Sequence, residues 1–547
     1  MIGSEVVAHA LKRQGLETFF YIMGAPMMAV ESTAMQLGLR GIDVRHEQAA
    51  AMAAHAYARL RNRPGVCMAA SGPGTTNLIT GIAHAWADCT PIVALGGSAP
   101  VSASHRGTFQ DIDQLKMMAP CTKWSERVYD PHRIPELINI AIRQAMSGRP
   151  GPVYLDLPGD ILYGEVDEAK IEWPDPWDPA KRHRPMASTA DVKAIVDLLS
   201  ACDQPVIISG SGILWSEAEN ELQAFVEASG IPFYTTPQGR GVVPEDHEFC
   251  YLTARSTAFR ESDLILIIGT RMNYVIGHAA PPRFNANAKI IRIDVDPEEI
   301  ATSGRRLDVG VVADAKLVLA QLTQALKGKI TPDTFRSWRD RLRGRNSSKT
   351  QEQEEILSTS ATPIHPLRLC KEIRDFMDRD AILCVDGQEI LNYGRQAIPT
   401  YVARHRLNSG AFGTMGVGMP FGIGAKVACP DKQVIVLHGD GSFGMNAMEF
   451  DTAVRHKLAI LTVISLNGGW TGDPQKERPG RDLGYTRFDQ MAAALGGYGE
   501  LVEKPDGIRP ALERAMAAVS KGQPALVNVV TDWRARATTA DFTRYVT

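Results

Sequence analysis

The chain has 547 residues, with 59 basic and 62 acidic side chains and a net charge of -3. That balance gives no electrostatic footprint for nucleic acid or for an anionic membrane surface, so neither is expected as a partner. Eight cysteines occur without a Cys-x-x-Cys pair, which reads as buried thiols of a reducing compartment rather than a disulfide frame or a zinc site. No apolar run is long enough to span a bilayer, and Met1 to Gly15 is an amphipathic stretch broken by Lys12 and Arg13 rather than a signal peptide. A cytoplasmic protein is expected.

Strand-like and helical patterns alternate almost throughout, which predicts stacked α/β domains with mainly parallel sheets. In chain order, Asp43-Val44-Arg45-His46 runs into an alanine-rich helix beginning at Glu47, and Val66 to Ala70 is an apolar strand followed by the turn Ser71-Gly72-Pro73-Gly74. A stretch rich in proline and charge, 172–185, breaks the pattern; a second break, 336–362, carries a Gln/Glu run. These breaks predict compact units at 1–170, 190–330 and 363–547, with linkers at 171–189 and 331–362. The middle unit opens with a strand and glycine turn, Pro205 to Gly212, weak evidence for a nucleotide phosphate.

The third unit holds the most informative residues. Gln433 to Leu437 is an apolar strand ending at Gly439-Asp440-Gly441-Ser442; Ala447 to His456 has helical spacing; Ala459 to Ile464 is a second strand that leads to Asn467-Gly468-Gly469. Each group therefore falls where open α/β sheets bind ligands, beyond a strand's C-terminal end. Magnesium prefers hard oxygen donors in octahedral array. The Asp440 carboxylate, the Asn467 amide oxygen, the Gly469 carbonyl and the oxygens of a diphosphate would fill most of that shell. Taken singly, both tripeptides are also ordinary turn chemistry.

The pair in this order resembles the signature of thiamin diphosphate (ThDP) enzymes of the acetolactate synthase-like superfamily, and the resemblance covers the whole chain. It implies an α/β protein of three doubly wound domains, in the order pyrimidine-binding, middle and diphosphate-binding. It implies that Glu47 binds N1′ of the aminopyrimidine and promotes loss of the thiazolium C2 proton, a task suited to a partly buried carboxylate. Gly413 to Pro420 resembles the loop whose apolar side chain, here Met415, holds the cofactor bent. Ser71, Gly387, Gln388, Gly439, Gly441, Ser442 and Trp470 are implied cofactor contacts. In such enzymes the glutamate of one subunit serves the cofactor of another, so a homo-oligomer is implied, a dimer of dimers above all.

Thr253 to Ser256 and Gly269 to Tyr274 look like segments of oxalyl-CoA decarboxylases and 2-hydroxyacyl-CoA lyases, which implies CoA contacts by Arg255, Ser256, Arg271 and Asn273. Tyr21 to Met28 and Phe109 to Asp113 resemble the actinobacterial-type lyases best. The decarboxylases tend to carry Tyr-Glu where this chain has Phe109-Gln110, and Ile-Tyr where it has Trp470-Thr471, a pocket better suited to a neutral carbinol than to an oxalyl carboxylate. The expected reaction is reversible cleavage of the C1–C2 bond of a 2-hydroxyacyl-CoA, such as 2-hydroxyisobutyryl-CoA, to formyl-CoA and a ketone or aldehyde. Gln110 and either Glu477 or Asp473 are candidates for handling the substrate hydroxyl. The segment 532–547, with Trp533, Arg534, Arg536 and Tyr545, is a candidate lid. ADP or another adenine nucleotide in the middle domain stays open. So do oxalyl-CoA decarboxylase and pyruvate carboligase activities, the latter with FAD in the middle domain. A membrane-associated oxidase would need an apolar tail, which Arg534, Arg536, Asp541 and Arg544 oppose. A non-catalytic scaffold would have lost Glu47, Asp440 or Asn467, and all are present.

Overall fold

The computed structural model describes residues 1–470 and 479–537. Three parallel sheets organise them. The first holds β1 (Thr18–Tyr21), β2 (Arg40–Asp43), β3 (Gly65–Ala69), β4 (Ile92–Ser98), β5 (Trp124–Arg127) and β6 (Val153–Pro158) in the order β2-β1-β3-β4-β6-β5. The middle sheet holds β7 (Pro205–Ser209), β8 (Phe233–Thr235), β9 (Leu264–Ile268), β10 (Lys289–Asp294) and β11 (Val309–Val312) in the order β11-β10-β9-β7-β8. The third holds β12 (Ile382–Asp386), β13 (Arg406–Asn408), β14 (Val434–Gly439), β15 (Leu461–Leu466), β16 (Tyr498–Val502) and β17 (Ala525–Val530) in the order β13-β12-β14-β15-β17-β16. The inner strands of each sheet are buried along most or all of their length, because helices cover both faces; hence they read as continuous apolar runs.

The first and third sheets follow one succession, so they are topological copies. Helices in corresponding places, Glu47–Arg61 after β2 and Gly418–Ala428 after β13, pack on each other and are buried on nearly every side. Their contact is close because it is made of small residues. A Cβ built on Gly424 would lie 2.1 Å from the carbonyl oxygen of Ala53. As a result the two outer domains share one hydrophobic core that runs from Phe20 and Ile42 to Ile464 and Leu526.

The two expected linkers differ in kind. Residues 171–189 are a largely irregular strap: Trp173 and Trp177 pack on the first domain's core, Arg182 donates to Trp215 O at 2.6 Å, and Arg184 pairs with Asp314 at 3.0 Å. Residues 331–362, by contrast, are mostly the 22-residue helix Arg336–Leu357, and its start belongs to the middle domain. Phe335, Trp338 and Leu342 sit in that domain's core, and Trp338 Nε1 donates to Pro205 O at 3.1 Å. Its remaining surface is polar, which is why the sequence reads as a linker. No helix among the described residues is long and apolar enough to cross a membrane.

Candidate functional site

β14 and β15 are neighbours with Gly439 opposite Ser465, so Asp440 and Asn467 emerge at one edge. Asp440 is only 5% exposed. Its Oδ1 accepts from Gly441 N and its Oδ2 from Gly468 N, both at 2.8 Å, and burial pushes its pKa up to about 6. Among the described residues no basic side chain pairs with it. A buried carboxylate held only by backbone N–H groups lacks a counter-charge, and a divalent cation would supply one. Asn467 Oδ1 lies 3.3 Å from Gly469 N, and Gly469 forms an antiparallel bridge with Asp482. The donor set therefore fits magnesium with a diphosphate.

The surrounding backbone is built for close approach. A Cβ on Gly441 would lie 2.7 Å from the Trp470 ring, so the indole packs directly on the glycine. Gly387 adopts φ +116, open only to glycine, and its Cα edge meets Gly439 N across adjacent strands. Ser442 Oγ donates to Gly439 O at 3.0 Å. Gln388 is exposed, and Met415 is half-buried on the 409–417 loop between Gly413 and Gly416, both at positive φ. Below this edge Asp386 Oδ2 accepts from Gly418 N at 2.9 Å, with its pKa pushed up to about 6 by burial; burial pushes His438 down to about 3, so it is neutral.

Glu47 opens its helix after His46, whose Nδ1 accepts from Gln48 N at 3.2 Å. The Glu47 carboxylate lies over the start of the helix Pro73–Ala87, just past the Ser71 turn: Oε2 accepts from Asn77 Nδ2 at 2.9 Å, and a Cβ on Gly74 would come within 3.5 Å of Oε1. Ser71 Oγ donates to Gln110 Oε1 at 2.8 Å, and Gln110 takes φ +58. The turn is anchored from behind by Gln114, which accepts from Gly72 N at 3.0 Å and donates to Tyr154 and Asp156. Among the described residues no hydrogen bond joins Glu47 to the Asp440–Asn467 edge of its own chain.

The four residues expected to meet CoA part into two places. Arg271 and Asn273 line a cavity between the middle domain and both outer domains, together with Asp88, Cys89, Gln238 and Gly410. There Arg271 is already engaged, donating to Ala87 O at 3.0 Å and pairing with Glu299 at 3.3 Å; Asn273 Oδ1 caps a turn by accepting from Val275 N. Arg255 and Ser256 do not line that cavity. Arg255 is exposed at the start of the helix Arg255–Glu261, with Arg283 and Arg240 close by. Arg395, close to Arg240 and Arg255, is pushed down to about 10. Glu245 lies among them and pairs with Arg240, and Asp88 lies near Arg395. A cluster of arginines of this kind suits a polyanion.

Sequence reasoning gave no role to Asn77, Gln114, Arg240 or Arg395. Asn77 lies on the helix Pro73–Ala87 that directly follows the Ser71 turn, so its segment carried the signal. Nothing local marks the arginines, which converge from distant elements. Glu477, Asp473, Thr471 and the tail from 538 onward, Tyr545 included, lie outside the described residues.

The comparisons with known proteins agree with this architecture. Residues 1–117 match the thiamine pyrophosphate enzyme N-terminal TPP binding domain, 192–322 its central domain and 391–529 its C-terminal TPP binding domain, and the chain belongs to this family of ThDP-dependent enzymes. More particularly, it is 33% identical to a 2-hydroxyacyl-CoA lyase of Arabidopsis thaliana, over 97% of this chain and 95% of that one. It is 33% identical to a probable acetolactate synthase of Mycobacterium bovis (97% and 96% covered) and 31% identical to the oxalyl-CoA decarboxylase of Escherichia coli K12 (97% and 95%).

Proposed function

We propose that this enzyme is a ThDP- and magnesium-dependent carbon–carbon lyase that cleaves the C1–C2 bond of a 2-hydroxyacyl-CoA, 2-hydroxyisobutyryl-CoA among them, reversibly to formyl-CoA and a ketone or aldehyde. The observation that carries the acyl-CoA half is the convergence of Arg255, Arg240 and Arg395 from three separate segments. The 33% identity to a 2-hydroxyacyl-CoA lyase supports the class.

ThDP, when bound, supplies a nucleophilic carbon and an electron sink for the carbanion left when C1–C2 breaks. The chain does the rest. Asp440, Asn467 Oδ1 and the Gly469 carbonyl would hold magnesium; Gly387, Gln388, Gly439, Gly441, Ser442 and Trp470 would line the diphosphate; Met415 would prop the rings. Glu47, oriented by Asn77, holds and moves the proton at N1′. Gln110 meets the substrate hydroxyl, with Glu477 as its base. Arg255 and Ser256 face the CoA phosphates, while Arg271 and Asn273 face a separate adenine nucleotide such as ADP. A second copy of the chain completes each site. Met23, Phe109, Phe412, Met445, Met448 and Tyr485 are exposed apolar side chains available to it, and paired dimers give a tetramer.

The test is to load purified protein with ThDP and magnesium, offer 2-hydroxyisobutyryl-CoA and oxalyl-CoA separately, and follow formyl-CoA by mass spectrometry. Formyl-CoA and acetone from the first alone are expected. Formyl-CoA from oxalyl-CoA alone would make the enzyme a decarboxylase, and silence with both would redirect the search to pyruvate.

A further inference from the structure

The segment that launches Glu47 is held by more than its own domain: Val44 N donates to Tyr21 O at 3.0 Å, and the third domain supplies the rest. Five residues of the third domain's helix Glu449–Arg455 and its flanks take hold of residues 43–48. Glu449 Oε1 accepts from both Arg45 N at 3.0 Å and His46 N at 3.1 Å. Arg45 Nε donates to Asp451 Oδ2 at 2.6 Å. Asp43 accepts from Arg455 and makes a 2.7 Å contact with His456 Nε2. Gln48 Nε2 donates to Asn446 Oδ1 at 2.9 Å, and Asn446 Nδ2 donates in turn to Gly416 O at 2.6 Å, on the loop of Met415. Of these groups Glu449, 1% exposed, is the one that takes the amides directly before Glu47, and its second oxygen is fixed by Thr452 Oγ1 at 2.7 Å.

We infer that Glu449 is the positioning residue for the proton-transfer glutamate: by gathering the two amides directly before Glu47, it sets where that carboxylate meets the cofactor ring. The inference rests on Glu47 having that role. The amides of Arg45 and His46 precede the first turn of the helix, where N–H groups have no intrahelical acceptor. A single carboxylate oxygen accepting both fixes the peptide planes that aim the Glu47 side chain. Truncation would leave two partly buried donors without that acceptor and free the turn to shift, and a shift of about 1 Å at a reacting group costs up to ~100-fold in rate.

Two readouts besides turnover test it. Deuterium exchange at C2 of bound ThDP, followed by quenched-flow NMR, reports the proton transfer alone. Amide exchange of the 43–48 peptide in the cofactor-free protein reports the clamp. Glu449→Ala is expected to speed amide exchange in that peptide and slow C2 exchange by about 10- to 100-fold, with ThDP affinity within about twofold of wild type. Glu449→Gln, which keeps the carbonyl acceptor, is expected to stay within about threefold of wild type. In a Glu47→Gln background the Ala substitution is expected to add nothing to the C2 defect. Wild-type C2 exchange in Glu449→Ala, or the full loss repeated in the Glu47→Gln background, would overturn the inference. If Glu47→Gln itself leaves C2 exchange unchanged, it is the role of Glu47 that falls. Should Glu449→Ala fail to fold, Thr452→Val frees one oxygen of Glu449 while keeping its volume. It is expected to slow C2 exchange by about threefold, and no change there would overturn the positioning role.

Discussion

Replacing Glu31 by glutamine is expected to stabilise the protein, and more so as pH rises. Glu31 lies on the helix Met28–Gln36, is 1% exposed, and neither carboxyl oxygen has a hydrogen-bond partner among the described residues. Burial pushes its pKa from 4.5 up to about 8. The sign follows from the order of ionisation: the unfolded chain loses the proton near 4.5, whereas the folded protein keeps it until about 8. Stability from this residue is therefore greatest below pH 4.5 and falls by about 1.4 kcal/mol per unit until pH 8. At pH 7 the accumulated cost is about 3 kcal/mol. Glutamine removes it and leaves an unpartnered amide in place of an unpartnered acid, a nearly even exchange. For a domain of this size, that corresponds to roughly 6–12 °C in the melting midpoint. Thermal unfolding of both proteins at pH 6 and pH 8, at constant protein concentration, is the assay. An advantage for Glu31→Gln that is absent, or equal at the two pH values, would refute the reasoning.

Glu47→Gln should leave ThDP affinity within a few-fold and cut turnover by about 10²- to 10⁴-fold, as single-turnover kinetics would reveal. Asp440→Ala should weaken magnesium-dependent ThDP binding by at least tenfold in calorimetry, because its buried carboxylate is the anionic member of the proposed donor set. Gly424→Ala should lower the melting midpoint: the new methyl meets the Ala53 carbonyl at 2.1 Å, and overpacking of about 1–3 kcal/mol outweighs the helix propensity gain of about 1 kcal/mol. An equal or higher midpoint would mean that the two helices part easily. Arg255→Met should raise KM for acyl-CoA by about tenfold or more with little change in kcat, and an unchanged KM would remove that arginine from the substrate site.

How much of this was legible depends on how local the cause is. The three parallel sheets were readable because parallel strands buried on both faces leave unbroken apolar runs such as Leu264–Ile268. That Asp440 and Asn467 share an edge was readable for the same reason, each sitting directly beyond such a run. The helix Arg336–Leu357 was not, since Trp338, Arg339, Leu342 and Leu357 are its only buried residues and the rest is polar. Equally invisible was the separation of Arg271 from Arg255: both sit in segments of similar look, but one is neutralised by Glu299 and the other faces cations. Glu449 shows the limit most plainly, because its partners lie some 400 positions away and nothing in the intervening chain announces them.

The shared core of the outer domains bears on how the protein is made. The face of Glu47–Arg61 that packs on Gly418–Ala428 has no cover until a chain several hundred residues long has left the ribosome, and closing so long a loop is entropically slow. During that interval an alanine-lined apolar surface waits in water with its sheet already able to form. Early chains are therefore the ones most exposed to misassembly, and truncation before residue 428 should yield aggregates rather than a folded first domain.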